Sequence, residues 1–306
     1  MMKQILRWVI LGGTLFFLAK ALKDNWQGVA TVRIDAEGWA ILAIATGITL
    51  LAHTWAGWIW AWVLQDLNQP IRSSEFVQVY LKTNIAKYIP GNVWHYYGRI
   101  VAAKNASVSI EIATLSVLLE PLLMAAAALI IFLLSSQSIL RNSTLYLQII
   151  QLFCLLGVLC ILHPKFLNLG IAIVQRLKVK KSDSIPSSTP ILQHYPLRPL
   201  FGELGFIVLR GFGFVLTLFA LSPLNWSHLP LLIGAFSFSW LLGFIIPGAP
   251  GGLGVFEATA IALLQSHFPT ALVISAVGLY RLISIFAETA GATLAWLDER
   301  FFSLKS

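Results

Sequence analysis

A chain of 306 residues with 58% hydrophobic and only 11% charged residues stands far from a soluble domain, where about 25% of residues are charged. The formal net charge of +8 does not point to nucleic acid, because the cations sit in connectors beside long apolar runs, the pattern that orients a membrane protein. The two cysteines, Cys154 and Cys160, share one apolar run, where a helix cannot bring their sulfurs together; they read as packing residues.

Spans are read at about 20 residues each. The first covers Gln4 to Leu22. Lys3, Arg7, the run Trp8 to Leu18 and Ala19-Lys20-Ala21 imitate a cleavable secretory signal, but lysine at and just after the cleavage position favours an uncleaved span. The second covers Trp39 to Leu64 and crowds Trp55, Trp58, Trp60 and Trp62 at one end, as an interfacial belt would. Ser109 to Leu134 is the third and Thr144 to Leu162 the fourth. The connector 163–199 sets Lys165, Arg176, Lys178, Lys180, Lys181 and Arg198 against Asp183 alone. Its first part is amphipathic enough to lie on a membrane surface, and Ser182 to Pro190 is a flexible linker by composition. Further spans cover Phe201–Leu221, Leu229–Ile246 and Ala271–Leu297, while Leu253–Gln265 is too short to cross and reads as a half-helix.

The basic connectors place the N-terminus, residues 65–108 and the loop 163–199 on the cytoplasmic side of the cell membrane, with the C-terminus beside them. The expected fold is all-α: a polytopic integral membrane helical bundle of about 7–8 spans. It forms a single domain over 1–306, with halves 1–162 and 200–306 joined by the basic loop.

Two breaks interrupt this pattern. Pro247-Gly-Ala-Pro-Gly-Gly-Leu-Gly-Val-Phe-Glu257 cannot continue a helix, since proline lacks the amide donor and glycine adds backbone freedom. Lys87-Tyr-Ile-Pro-Gly91 is a shorter break in the first half. In a bilayer such backbone is tolerated only inside protein or along a cavity, and paired interruptions in two halves point to a transporter's binding site. Ile89-Pro90-Gly91 matches Ile246-Pro247-Gly248, and a long apolar helix follows each, which suggests an internal repeat. An inverted repeat requires one intervening span, such as the glycine-rich Phe201–Leu221, to fall short of a full crossing.

Chemistry-bearing residues are few. The six histidines lack ligand spacing, so no metal site or cofactor is expected, and no nucleophile elbow or Walker loop is present. Ionisable residues inside spans cost about 2.5–3.5 kcal/mol at a helix centre, so they face a partner or a cavity. Glu120, Glu257, Arg281 and Glu288 qualify, whereas Glu203 and Arg210 sit in a less clearly drawn span and take no assignment. Arg281 and Glu288 fall on one helix face. Gly251, Gly252 and Gly254, after Pro247 and Pro250, can open the half-helix toward Glu257, and its free amides would seat an anion with help from Arg281. The stretch Lys87–Arg99, with Pro90, Gly91, Trp94 and His95, combines cations, polar donors and aromatic rings. The same residues also fit a purely structural use, as ion pairs, a packing kink and an aromatic-basic belt.

At these two motifs the chain resembles the flippase-like membrane module of lysylphosphatidylglycerol synthases and its free-standing relatives. Lys-Tyr-Ile-Pro-Gly at 87–91 and Pro-x-x-Pro-Gly-Gly-x-Gly-x-x-Glu at 247–257 carry the similarity, and Glu120 and Tyr280-Arg281 fall where the family carries a glutamate and an arginine. The resemblance implies a multi-span helical module that moves lipids or lipid-linked molecules between leaflets. It does not imply synthase activity, because the family's soluble aminoacyl-transferase domain has no counterpart within residues 1–306.

The expectation is therefore a non-enzymatic flippase-like transporter whose partners are membrane lipids with anionic head groups. A homo-oligomer or a partner envelope enzyme is also expected. A non-catalytic scaffold in envelope assembly is the second reading. An integral membrane lipid-phosphate transferase, using His95 with Glu120, is the third.

Overall fold

Helices arise here from long apolar runs free of breakers, and they end where proline, glycine or polar clusters appear. The computed structural model describes residues 12–13, 16–89, 93–140, 145–169, 192, 194–246 and 250–303. Most of the first expected span, the linker 182–190, and Pro90, Gly91 and Pro247 lie outside the described residues. Every regular element among the described residues is helical. In chain order they are α1 (Trp26–Thr31), α2 (Ala36–Asp66), α3 (Ser73–Asn84) with a 3₁₀ turn (Ile85–Tyr88), α4 (Trp94–Asn105), α5 (Ile110–Leu140) and α6 (Leu145–Ile161). The second half holds α7 (Leu197–Phe219), α8 (Leu229–Ile245), α9 (Val255–Leu264) and α10 (Thr270–Ser303). By length and composition, five stretches can cross a membrane: Ala36–Asp66, Ile110–Ser136, Leu197–Phe219, Trp226–Ile245 and Thr270–Phe301.

The longest interface joins α2 to α7, and small residues make it possible. Asp35 caps α2 by accepting from the Gly38 amide at 2.7 Å. Ala45, Thr49, Ala52 and Ala56 then form a fully buried stripe, while Trp39, Ile44 and Leu51 face outward. On α7, a Cβ at Gly213 would stand 2.6 Å from the Thr49 hydroxyl oxygen and one at Gly202 2.8 Å from the Ile59 side chain. Close approach of small residues replaces hydrophobic drive where the surrounding solvent is itself apolar. Trp60 departs from the expected belt. It is fully buried, tilted on Phe76 at 5.1 Å and hydrogen-bonded to Ser116 at 3.2 Å, because its position on α2 faces α3 and α5.

Helices α2 and α7 run antiparallel: Gly38 meets Ala220, Thr49 meets Gly213, and Ile59 meets Gly202. Their surroundings correspond. Helix α3 packs on α2 as α8 packs on α7; α3 meets α10 as α8 meets α5; α2 meets α10 as α7 meets α5. Each half is thus a long helix, a broken pair and a second long helix, and the antiparallel α2–α7 contact makes the two halves inverted copies. Phe201–Leu221 does not fall short to achieve this, since α7 is a full-length helix. Helix α8, which is long and apolar enough to cross a membrane, also forms the first arm of a hairpin with α9.

Both broken pairs are hairpins. Thr83 lies against Gly98 across α3–α4, and Gly243 lies against Gly252 and Phe256 across α8–α9, with His228 and Phe268 closing the far end of the second hairpin. The hairpins enter from opposite ends of the bundle, and their tips meet. A Cβ on Gly251 would be 2.9 Å from the Tyr88 ring. Gly251 has φ +63°, a conformation in which glycine is the favoured residue. Contacts between Gln65 and Ser73, Gln65 and Arg198, Leu159 and Tyr195, and Lys82 and Glu299 gather the basic connectors at one end of the bundle.

Candidate functional site

Where the two tips meet lies a partly open cavity of about 120 Å³, lined by both charged and apolar side chains. A single water needs roughly 10–15 Å³ by the same measure, so the space holds several waters or one small head group, and no acyl chain. Three groups of charged side chains surround it.

The first centres on Glu288, near the middle of α10. Its Oε1 lies 2.7 Å from Lys87 Nζ, 3.2 Å from His53 Nε2 and 3.9 Å from Arg210 Nη1. The Tyr88 hydroxyl also faces this carboxylate. Arg210 Nη1 is 2.7 Å from His53 Nε2. Arginine can only donate, so Nε2 accepts and the imidazole proton sits on Nδ1. The 3.2 Å approach of Nε2 to Glu288 is then a close neighbour rather than a hydrogen bond. Lys87 reaches the cluster from the 3₁₀ turn of the first hairpin, His53 from α2 and Arg210 from α7. Tyr280 braces Arg210 from α10, its hydroxyl donating to the Arg210 carbonyl at 3.0 Å.

The second group centres on Arg99 of α4, which is buried. Its guanidinium carbon stands 3.6 Å above the Tyr80 ring, and Nη1 lies 3.4 Å from Glu120 Oε2. The Tyr80 hydroxyl donates to Glu120 Oε1 at 3.0 Å. Pro121 follows Glu120 inside α5 and lines the cavity, removing one ladder hydrogen bond beside the carboxylate. His95, one turn before Arg99, lies against Tyr96 with ring centroids 3.8 Å apart and the planes tilted by 41°. Burial, then the charges of Arg99 and Lys87, push its imidazole down to about 3, so it is neutral. Helix α4 lies outside the span-length helices. Glu203 on α7 is fully buried, with neither carboxyl oxygen hydrogen-bonded, and it does not line the cavity.

The third group revises the expected anion seat. Arg281 donates from Nε to Glu257 Oε1 at 2.6 Å, and from Nη1 and Nη2 to the carbonyls of Gly251 and Gly252 at 3.0 and 3.4 Å. Glu257 Oε2 accepts from the Gly254 amide at 2.6 Å, capping α9 from within. The half-helix start is occupied by the chain's own carboxylate, and Arg281 is compensated. Although Arg281 and Glu288 share a helix, they serve different groups.

Of the residues singled out from sequence, Lys87, His95, Arg99, Glu120, Gly251, Gly252, Arg281 and Glu288 line the cavity. Glu257 and Gly254 support it from behind, and Pro250 opens the 3₁₀ turn of the second tip. Trp94 is half-exposed and away from the cavity lining. Pro90, Gly91 and Pro247 fall outside the described residues. His53, Tyr80 and Tyr96 were not singled out, and Arg210 was left undecided, yet all four line the cavity. The usable signal for His53 and Arg210 was an ionisable side chain inside an apolar helix.

Among the described residues no cluster of His, Cys, Asp or Glu fits a metal ion. No protein-family model matches the chain, and no curated protein matches it at a significant level. What the chain shows is several apolar helices that fit a membrane protein.

Proposed function

We propose that this protein is a flippase-like transporter that moves a lipid or lipid-linked anionic substrate between leaflets, as a free-standing member of the family its two motifs resemble. The reading rests above all on the cavity where two opposed hairpin tips meet. Its fixed cations, Lys87, Arg99, Arg210 and Arg281, outnumber the carboxylates paired with them, Glu120, Glu257 and Glu288. A head group enters this space while acyl chains stay outside, along apolar faces carrying Leu118, Leu122, Leu282, Ile285 and Phe286. Inverted halves with broken helices meeting at a central site are the architecture of alternating access. The bundle end that gathers the basic connectors is cytoplasmic in this reading.

Reconstituted protein should accelerate leaflet exchange of at least one anionic phospholipid or polyprenyl-linked sugar in liposomes, with no new lipid product by mass spectrometry. Folded protein that accelerates none of them refutes the proposal. A reporter at residue 163–169 found outside the cell refutes the orientation.

A further inference from the structure

The two cavity carboxylates of the second half are held in contrasting ways. Glu257 uses both oxygens, one on Arg281 and one on the Gly254 amide, and Arg281 spends all three nitrogens on fixed partners. That is a permanent clamp. Glu288 instead presents a single oxygen to Lys87, His53 and Arg210, while its Oε2 has no hydrogen-bond partner in a fully buried setting. Among the described residues Arg210 meets His53 and Glu288 through Nη1 and stands 5.4 Å from the Tyr280 ring, while its Nε is buried without a hydrogen-bond partner. Lys87 has three donors and shows one ion-pair contact, to Glu288. The cluster thus offers more donors than one carboxylate oxygen can use, and a fork such as Arg210's is matched by an anion with several oxygens in fixed geometry.

We propose that Lys87 and Arg210, the latter held in place by His53, form a subsite for a phosphate-type anionic group, and that Glu288 is the internal carboxylate that occupies it until the substrate's phosphate displaces it. This rests on the transport reading above and relocates its anion from the half-helix start to the opposite wall of the cavity. Three terminal oxygens reach the donors that Glu288 leaves unused, including Arg210 Nε. Access comes from the Lys87 side, whose side chain is 21% exposed, against 1% for Glu288. Displacement also explains why the carboxylate is kept: with Glu288 returning to the cations, the leaving phosphate has a competitor that promotes its release. Glu288 is therefore a specificity and release residue, acting on the same atoms as the cargo.

The test is a binding titration on the purified, monodisperse full chain, with short-chain phosphatidic acid and inorganic phosphate as separate probes, alongside liposome flux. Glu288→Gln should bind phosphatidic acid about tenfold or more tightly while flux falls, because the competitor is lost and release slows. Glu288→Asp keeps the charge but draws the oxygen back by one methylene, so it should tighten binding by a smaller factor. Lys87→Gln should weaken it about tenfold. Glu75→Gln removes an equal charge from the surface, outside the cavity, and should shift affinity less than about twofold. Equal tightening by Glu288→Gln and Glu75→Gln would mean a bulk charge effect and overturn the subsite. Unchanged or weaker binding in folded Glu288→Gln would make Glu288 a structural counterion and overturn it too. If that variant does not fold, Glu288→Asp and Lys87→Gln decide by the same criteria. A wild-type chain that binds neither probe removes both this subsite and the transport reading. Wild-type binding with the wrong variant order removes the subsite alone. Free phosphate binding as tightly as phosphatidic acid supports the subsite and overturns a lipid as its ligand.

Discussion

Breaking the clamp between Arg281 and Glu257 separates a structural arginine from a substrate-binding one. Glu257→Ala removes a charge-assisted hydrogen bond to the Gly254 amide, at 2.6 Å, and leaves Arg281 without its carboxylate at 2.5–2.6 Å. A hydrogen bond to a charged group contributes about 1.5–3 kcal/mol. Orphaning one member of a buried pair costs about 3–5 kcal/mol. These two effects overlap on one side chain, and the pair is 17% and 10% exposed, so a total of about 4 kcal/mol is expected rather than the sum. Glu257→Gln keeps an acceptor for the Gly254 amide and should cost roughly half as much. Arg281→Ala also strands the Gly251 and Gly252 carbonyls and should match Glu257→Ala. The double variant should lose less than the two single losses together, with a coupling of about 2 kcal/mol. Reversible unfolding in mixed micelles measures the cycle, and apparent melting temperatures should fall by roughly 5–10 °C in each single variant. Arg281→Ala that abolishes anion binding while leaving stability intact would refute this reasoning and return the anion seat to the half-helix start.

Tip glycines should be intolerant where the tips and hairpin arms touch. Gly252→Ala places a Cβ 2.8 Å from the Gly243 carbonyl oxygen at φ +73°, and Gly251→Ala meets the Tyr88 ring, so both should lose monodisperse protein on size-exclusion chromatography. Gly278→Ala, with nothing within 4 Å, should not. Tyr80→Phe removes the donor to Glu120 Oε1 and should cost about 1–3 kcal/mol in the same unfolding assay. Arg99→Lys should be comparably damaging, since an ammonium cannot reproduce the stacking on Tyr80. His95 has a folded-state pKa depressed from 6.5 to about 3, so its contribution is present above pH 6.5 and is lost as pH falls toward 3. Between pH 6.5 and 5 the wild type should therefore lose about 2 kcal/mol more than His95→Gln, and parallel pH profiles would contradict the assignment.

The all-α membrane class was legible because apolar run length and proline or glycine punctuation act locally. A run such as Ile110–Leu134 can only be a helix in hydrocarbon, and Pro250-Gly251-Gly252 can only interrupt one. The same locality made Lys87, Glu120, Arg281 and Glu288 conspicuous as charges in or beside apolar runs. Partner choice was not local. Lys87 pairs with Glu288, His53 with Arg210 and Arg99 with Glu120 because α2, α7, the two hairpins and α10 converge, and that convergence depends on which faces carry small residues such as Ala45, Thr49 and Gly213. Sequence spacing put Arg281 and Glu288 on one helix face and invited their joint use. The tertiary structure sent Arg281 to Glu257 and the carbonyls of the second tip, and Glu288 to the cation cluster, because a helix of that length passes both hairpin tips. The hydrophobic pattern marked Leu229–Ile246 as a long apolar helix, but hydropathy records burial in apolar surroundings and not direction of travel. Only tertiary packing decides that: Gly252 tucked on Gly243 turns the chain back into a hairpin, and the antiparallel contact of α2 with α7 makes the two halves inverted.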